Sequence, residues 1–246
     1  MPEHNGFITV LDALGAAKYS QNEIVQFLES RQRVLMLLES KAEAVFGHLD
    51  ARRISTFIFN DTLVIAYPVE PPVSMDHIEA FGMLLRHFEL KSIVNGILFR
   101  GAMSIGTFYS DEDTNTIMGS AVTDAAAWYD KADWIGITTT PQATLIIRAR
   151  ERQAGKDVER VFIDYLVPMS DHTKPLLRAV NWPKGFYVKG LRPLSRDEDP
   201  KAKCLDLLVR SGIPKGTETK YFNTIEFFDH CVRRYKARRR KSSSAS

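Results

Sequence analysis

The sequence has few cysteines and no long hydrophobic run. Its two cysteines, Cys204 and Cys231, lie far apart and form no CxxC motif, and its six histidines form no HxxxH or HExxH motif. These spacings indicate neither a zinc site nor a disulfide, so we expect two free, buried thiols. No segment approaches the roughly 18 to 20 apolar residues of a membrane span, and the N-terminal MPEHNGF lacks the features of a signal peptide. We therefore expect a cytoplasmic protein with no membrane partner.

Charge is nearly balanced except at the C-terminus. The 246 residues carry a formal net charge of +3, yet seven positive charges fall within Arg233 to Lys241, just before a serine-rich end. A basic run can hold nucleic acid or acidic lipid. The predicted sheet offers no aromatic RNP-like motif, so no nucleic acid is expected. We predict instead a solvated, partly disordered tail from about residue 236.

Hydrophobic periodicity predicts an alternation of strands and helices. In order, the pattern indicates a strand at 7–11, a helix from about 20 to 47, a hairpin at 53–67, a helix at 75–93, a strand pair at 98–118, a helix at 120–130, a strand at 134–140 and a helix at 142–152. This order predicts an α+β fold, a ferredoxin-like βαββαβ sandwich with helices against one face of a mainly antiparallel sheet. We assign 1–157 to a core and 158–246 to a C-terminal extension packed on it, with a strand at 158–167 and a helix at 221–236.

Two aspartates occupy unusual positions. Asp61 follows Asn60 at the break between two apolar runs, which places a carboxylate at the tip of a hairpin. Asp12 ends the first strand and is followed by the small-residue turn Ala-Leu-Gly-Ala-Ala. Two strand-end carboxylates beside such a turn suggest a divalent metal held over phosphates. Alternatively, Asp61 only forms the turn and Asp12 only caps the entry to a helix.

Three sequence blocks resemble the class III nucleotidyl cyclases. They are FITVLDALG, FNDTLVIAY and FRGAMSIGTFYSDEDTNTIMGSAVTDAAAWYDKADWIGITTT, in that order. The first is similar to the family's strand, aspartate and turn; the second is similar to its hairpin with a metal aspartate. The third is similar to its arginine-glycine strand, its glycine-initiated helix and the strand that follows. The resemblance implies a class III cyclase catalytic core.

The resemblance also implies roles for individual residues. Asp12 and Asp61, helped by the Ala13 carbonyl, would hold two divalent ions, Mn²⁺ or Mg²⁺, and the backbone amides of Leu14, Gly15, Ala16 and Ala17 would cradle a triphosphate. The ribose 3′-hydroxyl would then attack the α-phosphorus in line, and pyrophosphate would leave. The substrate would be a nucleoside triphosphate.

Two departures from the family bear on the base. Phe57 stands where adenylyl cyclases place a base-reading lysine, and Thr116 stands where they place its aspartate partner. Phe57 could stack on a different base while Thr116 hydrogen-bonds it. The resemblance is closest to the pyrimidine cyclases of bacterial Pycsar anti-phage systems, which implies UTP, or CTP, as substrate. The alternative is a catalytically silent cyclase-like module that binds a nucleotide or a partner.

Further departures concern the phosphates and the assembly. The family's transition-state asparagine and arginine fall on Thr123 and Ala127, so Arg100, Lys131 or Arg148 would have to contact the phosphates instead. The family's sites are shared between two chains, which implies a homodimer. Four residues around the glycine-initiated helix could complete the partner's pocket or could pack in the core: Met118, Val122, Trp128 and Tyr129.

Overall fold

The computed structural model describes residues 2–16, 19–46, 54–158, 161–188, 198–210 and 212–244. The strands are β1 (Glu3–Ala13), β2 (Ser55–Phe59), β3 (Thr62–Pro68), β4 (Phe99–Asp111), β5 (Thr116–Met118), β6 (Gly136–Thr139), β7 (Phe162–Leu166) and β8 (Leu176–Val180). The helices are α1 (Gln21–Phe46), α2 (Met75–Val94), α3 (Ser120–Ala126), α4 (Pro141–Ala154), α5 (Lys184–Tyr187), α6 (Pro200–Val209) and α7 (Glu218–Ser244).

One sheet organises the chain. Its strand order is β2-β3-β1-β4-β6-β8-β7, with β5 paired to β4 as a hairpin. The segment β1-α1-β2-β3-α2-β4 therefore has the spatial order β4-β1-β3-β2, which confirms the predicted α+β, ferredoxin-like arrangement. The pairs are antiparallel except β4 with β6. The sheet is thus mainly antiparallel, as predicted.

Both faces of the central strands are covered, and this corrects the prediction of helices on one face only. In β1, Phe7 and Leu11 belong to the large core cluster that α1, α2 and α4 supply. The intervening Ile8 and Val10 belong to a second cluster with Ala121 of α3. Because successive side chains of a strand point to opposite faces, α3 lies on the face away from the other helices. The face that α3 covers is also the face of Asp12.

The C-terminal part continues the sheet through β8 and β7 and adds its own cluster of buried aromatic side chains. Strand β7 is shorter than the predicted strand at 158–167. The basic run also differs from the prediction, because it lies on α7, which is helical as far as Ser244. Cys204 and Cys231 are free and buried, as predicted. Within the described ranges, no helix is both long and apolar enough to cross a bilayer.

Candidate active site

The two predicted aspartates meet where β1 ends beside the β2–β3 hairpin. Asp12 is the cross-strand neighbour of Thr62, and the amide of Ala13 donates a hydrogen bond to the carbonyl oxygen of Asp61 at 3.3 Å. The hairpin turn is tight because Asn60 takes a left-handed backbone with φ of 56°, a conformation that asparagine tolerates better than most residues. Both carboxylates are half-buried. The sheet register, set over seven residue pairs, therefore brings Asp12 and Asp61 together.

Arg100 binds Asp12 directly. The two residues are cross-strand partners on β4 and β1, and both Nε and one terminal nitrogen of Arg100 lie 3.1 Å from Asp12 Oδ2. Another terminal nitrogen donates to the carbonyl oxygen of Asp130 at 2.8 Å. Arg100, a predicted phosphate contact, is therefore at the site, but its guanidinium is bonded to the Asp12 carboxylate and to the backbone of the loop after α3.

The electrostatics of Asp12 reflect three neighbouring charges. Burial raises the pKa of Asp12 above its usual value, and the negative charges of Asp61 and Asp130 raise it further, whereas Arg100 lowers it by charge and by hydrogen bonding. The pKa of the Tyr129 hydroxyl is raised by burial and then by the same three carboxylates. Three carboxylates and one guanidinium thus share one electrostatic environment at this end of the sheet.

The donor set suits a hard divalent cation. Asp12 and Asp61 supply carboxylate oxygens, and such ions accept one or two carboxylates when substrate phosphates and waters complete the coordination. No group of three or more metal-ligating side chains occurs in the part of the chain that the structure describes. Arg100 contacts Oδ2 of Asp12, so a cation at this site would take the other carboxylate oxygen and complete its coordination with substrate oxygens and waters.

The predicted phosphate turn is only partly available. The Leu14 amide donates to the Leu98 carbonyl oxygen at 2.8 Å, so this amide is occupied, and its predicted phosphate contact remains a prediction. Gly15 has φ of 84° and Ala16 accepts a hydrogen bond from the amide of Tyr19 at 3.1 Å. The amides of Gly15 and Ala16 remain candidates, and Ala17 lies outside the described residues.

The base-reading prediction for Phe57 conflicts with its burial. Phe57 has no exposed surface and packs in the cluster beneath α3, because its side chain alternates onto the covered face of β2. Its ring therefore offers no stacking surface in the single chain. The neighbouring Asn115 side chain bonds both the amide and the carbonyl of Ile58 at 3.3 and 2.9 Å. The β4–β5 hairpin is thus attached to the outer edge of β2.

The two threonines lie on this same side of the molecule. Thr116 is half-buried on β5, and its hydroxyl bonds the side-chain and carbonyl oxygens of Thr114 at 3.0 and 3.1 Å. Thr123 is exposed on α3, and its amide donates to the Gly119 carbonyl. Both hydroxyls lie on elements next to Phe57, and their predicted substrate contacts remain predictions.

The other two predicted phosphate contacts have different outcomes. Lys131 follows Asp130 and is exposed, with its ammonium 4.7 Å from the centre of the Trp128 ring. Arg148 pairs at 3.0 Å with Asp164 of β7. Strand β7 lies four strands from β1, or about 19 Å at ~4.8 Å per strand. Within one chain Arg148 is thus engaged with Asp164 on the far strand of the sheet, and its predicted phosphate contact remains a prediction.

The four residues that could complete a partner's pocket differ in their burial. Met118 is 53% exposed. Val122 and Tyr129 are partly buried against the cluster beneath α3, and Trp128 packs on the C-terminal cluster. Trp128 therefore has a packing role, while Met118 is the residue of the four that presents most of its surface.

Sequence reasoning missed Asp130 and Tyr129 as neighbours of Asp12. Both follow α3, which is shorter than predicted because the helical pattern gives way to turns at Ala127. The turn brings Asp130 back toward Arg100, a non-local contact between residues 30 apart in the chain. Two carboxylates within the short run Tyr-Asp-Lys-Ala-Asp were the available signal.

Comparison with known proteins gives structural similarity only. No model of a protein family matches the chain, and no curated protein matches it. A rhodopsin-guanylyl cyclase catalytic core with converted specificity, in complex with ATPαS, is similar over 73% of this chain and 97% of its own, at 10% identity and a TM-score of 0.46.

Two further solved structures cover the same 73% of this chain at 13% identity. They are the adenylyl cyclase CyaB from P. aeruginosa, with 96% of its chain covered and a TM-score of 0.40, and the guanylyl cyclase Cya2, with 92% and 0.36. At these identities and TM-scores, the similarities establish neither the family nor the activity of this chain.

Proposed function

We propose that this protein is a nucleotidyl cyclase that converts a pyrimidine nucleoside triphosphate, UTP or CTP, into the 3′,5′-cyclic nucleotide and pyrophosphate. The observation that carries the proposal is the meeting of Asp12 and Asp61 at the end of β1, with Asp61 raising the pKa of Asp12. Two neighbouring carboxylates repel each other, and a divalent cation bound by both would relieve that repulsion. That is the arrangement expected of a phosphoryl-transfer site that uses divalent ions.

The chain's own residues would divide the work as follows. Asp12 and Asp61, with the Ala13 carbonyl, would hold two Mn²⁺ or Mg²⁺ ions. When bound, such ions acidify a ribose hydroxyl and neutralise charge on the phosphates. The Gly15 and Ala16 amides would orient the triphosphate for in-line attack. Arg100, held on Oδ2 of Asp12, would place a guanidinium beside the phosphates, where Ala127 has no charge to offer.

The finer assignment rests on the sequence resemblance to Pycsar pyrimidine cyclases. It implies a cytoplasmic enzyme that makes cyclic UMP or cyclic CMP as a second messenger in anti-phage defence. Since Phe57 is buried, base selection would depend on the exposed parts of the β4–β5 hairpin and α3, where Thr116 and Thr123 carry hydroxyls. A hydroxyl can both donate and accept, so it suits either pyrimidine edge.

A second candidate is a silent cyclase-like module that binds a nucleotide or a partner. Arg100 neutralises Asp12 without any metal ion, and such a pair would also serve a domain that has lost its metals. In that case the aspartates are kept for the ion pair and the turn rather than for chemistry.

One experiment separates the two. The purified chain is incubated with each of the four nucleoside triphosphates and Mn²⁺, and products are resolved by liquid chromatography and mass spectrometry. We expect a cyclic pyrimidine nucleotide, and Asp61→Ala should lower turnover by at least ~10³ because several kcal/mol of charge stabilisation are lost. Binding of nucleotide without any cyclic product would favour the silent module. Undiminished turnover by a folded Asp61→Ala chain would exclude the metal role.

We further propose a homodimer with two shared sites. Met118 and Thr123 are exposed on or beside the glycine-initiated helix, the element that the resemblance assigns to the site shared with a second chain. A two-fold arrangement would give two equivalent sites. Light scattering at micromolar concentration tests it, since an active monomer is incompatible with sites that need two chains.

A further inference from the structure

We propose that the start of α7 and the turn before it complete the candidate active site, with Lys220 and Asn223 as positioning residues for Asp12. The inference rests on the proposed cyclase function and assigns it two further residues. Both belong to the C-terminal extension, which the sequence analysis places outside the catalytic core. Two sets of contacts support the proposal, one on the phosphate turn and one on the loop after α3.

The first set joins Pro214 to the phosphate turn. A Cβ added to Gly15 would lie 3.0 Å from Pro214 Cγ, so the proline ring packs closely against the turn at this glycine. Pro214 is fixed in turn, because its carbonyl oxygen accepts hydrogen bonds from the Thr217 hydroxyl at 2.6 Å and the Thr217 amide at 3.0 Å. The C-terminal extension therefore forms one wall of the turn that would cradle the triphosphate.

The second set joins α7 to the loop after α3. Lys220 Nζ lies 2.5 Å from Asp133 Oδ1, with only 14% and 22% of the two side chains exposed. Asn223 Nδ2 donates to the Asp133 carbonyl at 2.6 Å and to its carboxylate at 3.3 Å. Next along the loop, the Ile135 amide donates to the Thr224 hydroxyl at 2.8 Å. Two successive turns of α7 thus hold the backbone of 133–135.

This loop leads directly to Asp12. Three residues before Asp133, the carbonyl of Asp130 accepts the hydrogen bond from Arg100, and Arg100 in turn bonds Asp12. The loop is also held by the connection between β7 and β8, since the Asp133 amide donates to the Pro168 carbonyl and the Ser170 amide donates to the Lys131 carbonyl, both at 2.8 Å. Loss of Lys220 should therefore shift the loop without unfolding it.

The test compares Lys220→Met with Lys220→Arg in the full chain, using Lys201→Met as the matched control. Lys201 also ties α7 to another element, through a 2.7 Å ion pair with Asp229, but it does so between α6 and α7 and touches neither the phosphate turn nor the loop. Mn²⁺ binding without nucleotide is measured from the loss of the free-ion electron paramagnetic resonance signal. Turnover and KM are measured separately, and circular dichroism checks the fold.

We expect Lys220→Met to weaken Mn²⁺ binding and to lower kcat by about 10-fold each, the lower end of what removal of outer-shell partners costs a metal site. KM should change less, and Lys220→Arg should recover most of the loss. Lys201→Met should leave both quantities unchanged. The inference is refuted if folded Lys220→Met binds Mn²⁺ and turns over like wild type. It is also refuted if Lys201→Met behaves in the same way as Lys220→Met. Neither result would refute the proposed cyclase function. A wild-type chain that neither binds Mn²⁺ nor forms a cyclic product would refute the proposed function, and the inference with it.

Discussion

Replacing Arg100 with methionine should destabilise the protein, because it leaves Asp12 half-buried without its counter-charge. Two nitrogens of Arg100 lie 3.1 Å from one carboxylate oxygen, and the side chains are 20% and 21% exposed. Breaking a fully buried pair by removing one partner costs about 3–5 kcal/mol, and an exposed pair contributes ~0–1 kcal/mol. Partial exposure places the expected loss near pH 8 at about 2 kcal/mol.

The loss should depend on pH in a defined direction. Arg100 is the one influence that lowers the pKa of Asp12, while burial, Asp61 and Asp130 raise it. Without Arg100 the pKa in the folded state rises further above the unfolded value. A carboxyl of this kind stabilises the fold fully below its unfolded pKa, and that stabilisation is lost as pH rises through the folded pKa. The penalty of the substitution should therefore be largest near pH 8 and should shrink toward about pH 5.

Urea unfolding followed by tryptophan fluorescence at both pH values measures the free energy of unfolding. Arg148→Met is the matched control, because Arg148 also makes a 3.0 Å ion pair but is 38% exposed, and its partner Asp164 keeps a second arginine, Arg178, at 3.3 Å. We expect the control to lose less than ~1 kcal/mol, with little pH dependence. Equal losses in the two variants, or a penalty for Arg100→Met that is the same at both pH values, would refute the reasoning.

Three further predictions concern other parts of the fold. Phe57→Ala should lower the free energy of unfolding in urea by about 3–5 kcal/mol because the ring is fully buried. A loss below ~1 kcal/mol would contradict this burial and favour the predicted role of Phe57 in the substrate pocket. Glu89 is fully buried and burial holds its pKa well above the usual value, so its protonated form stabilises the fold and that stability falls as pH rises through the raised pKa. Glu89→Gln should therefore flatten the wild-type loss of stability toward alkaline pH, and an unchanged pH profile would contradict this. Mixing Asp61→Ala chains with Thr116→Ala/Thr123→Ala chains should restore cyclisation at one site per mixed dimer, whereas no rescue in any mixture would exclude shared sites.

The order of the strands and helices could be predicted because each element has its own local sequence pattern. Periods of two and of 3.6 residues separate β1, α1, β2, β3 and α2, and the Asn60-Asp61 break fixes the hairpin turn. The same locality explains why Asp12 and Asp61 could be paired in advance, since strand ends that follow a ferredoxin-like order meet at one edge. Boundaries were less accurate, as in α3 and β7, because helix and strand ends depend on their packing partners.

The contacts at the site that the sequence did not predict share one physical cause, namely partners from distant parts of the chain. Burial of Phe57 depends on α3, which crosses the opposite face from the other helices. The Leu14 amide is taken by Leu98, and Arg148 by Asp164 on the far strand of the sheet. The helical basic run was missed for another reason, because charge composition indicated a solvated tail while α7 docks through residues nearer its start.

The pairing of Arg100 with Asp12 bears on how the proposed site could act on phosphates although Ala127 carries no charge. Three carboxylates at one end of the sheet need a positive charge whenever no cation is bound, and Arg100 supplies it. If a divalent ion takes the other oxygen of Asp12, the guanidinium on Oδ2 would lie within a side-chain length of the phosphates that the ion would carry. One residue would then neutralise the empty site and the loaded one in turn, so the absence of charge at Ala127 would not leave the transition state without a cation.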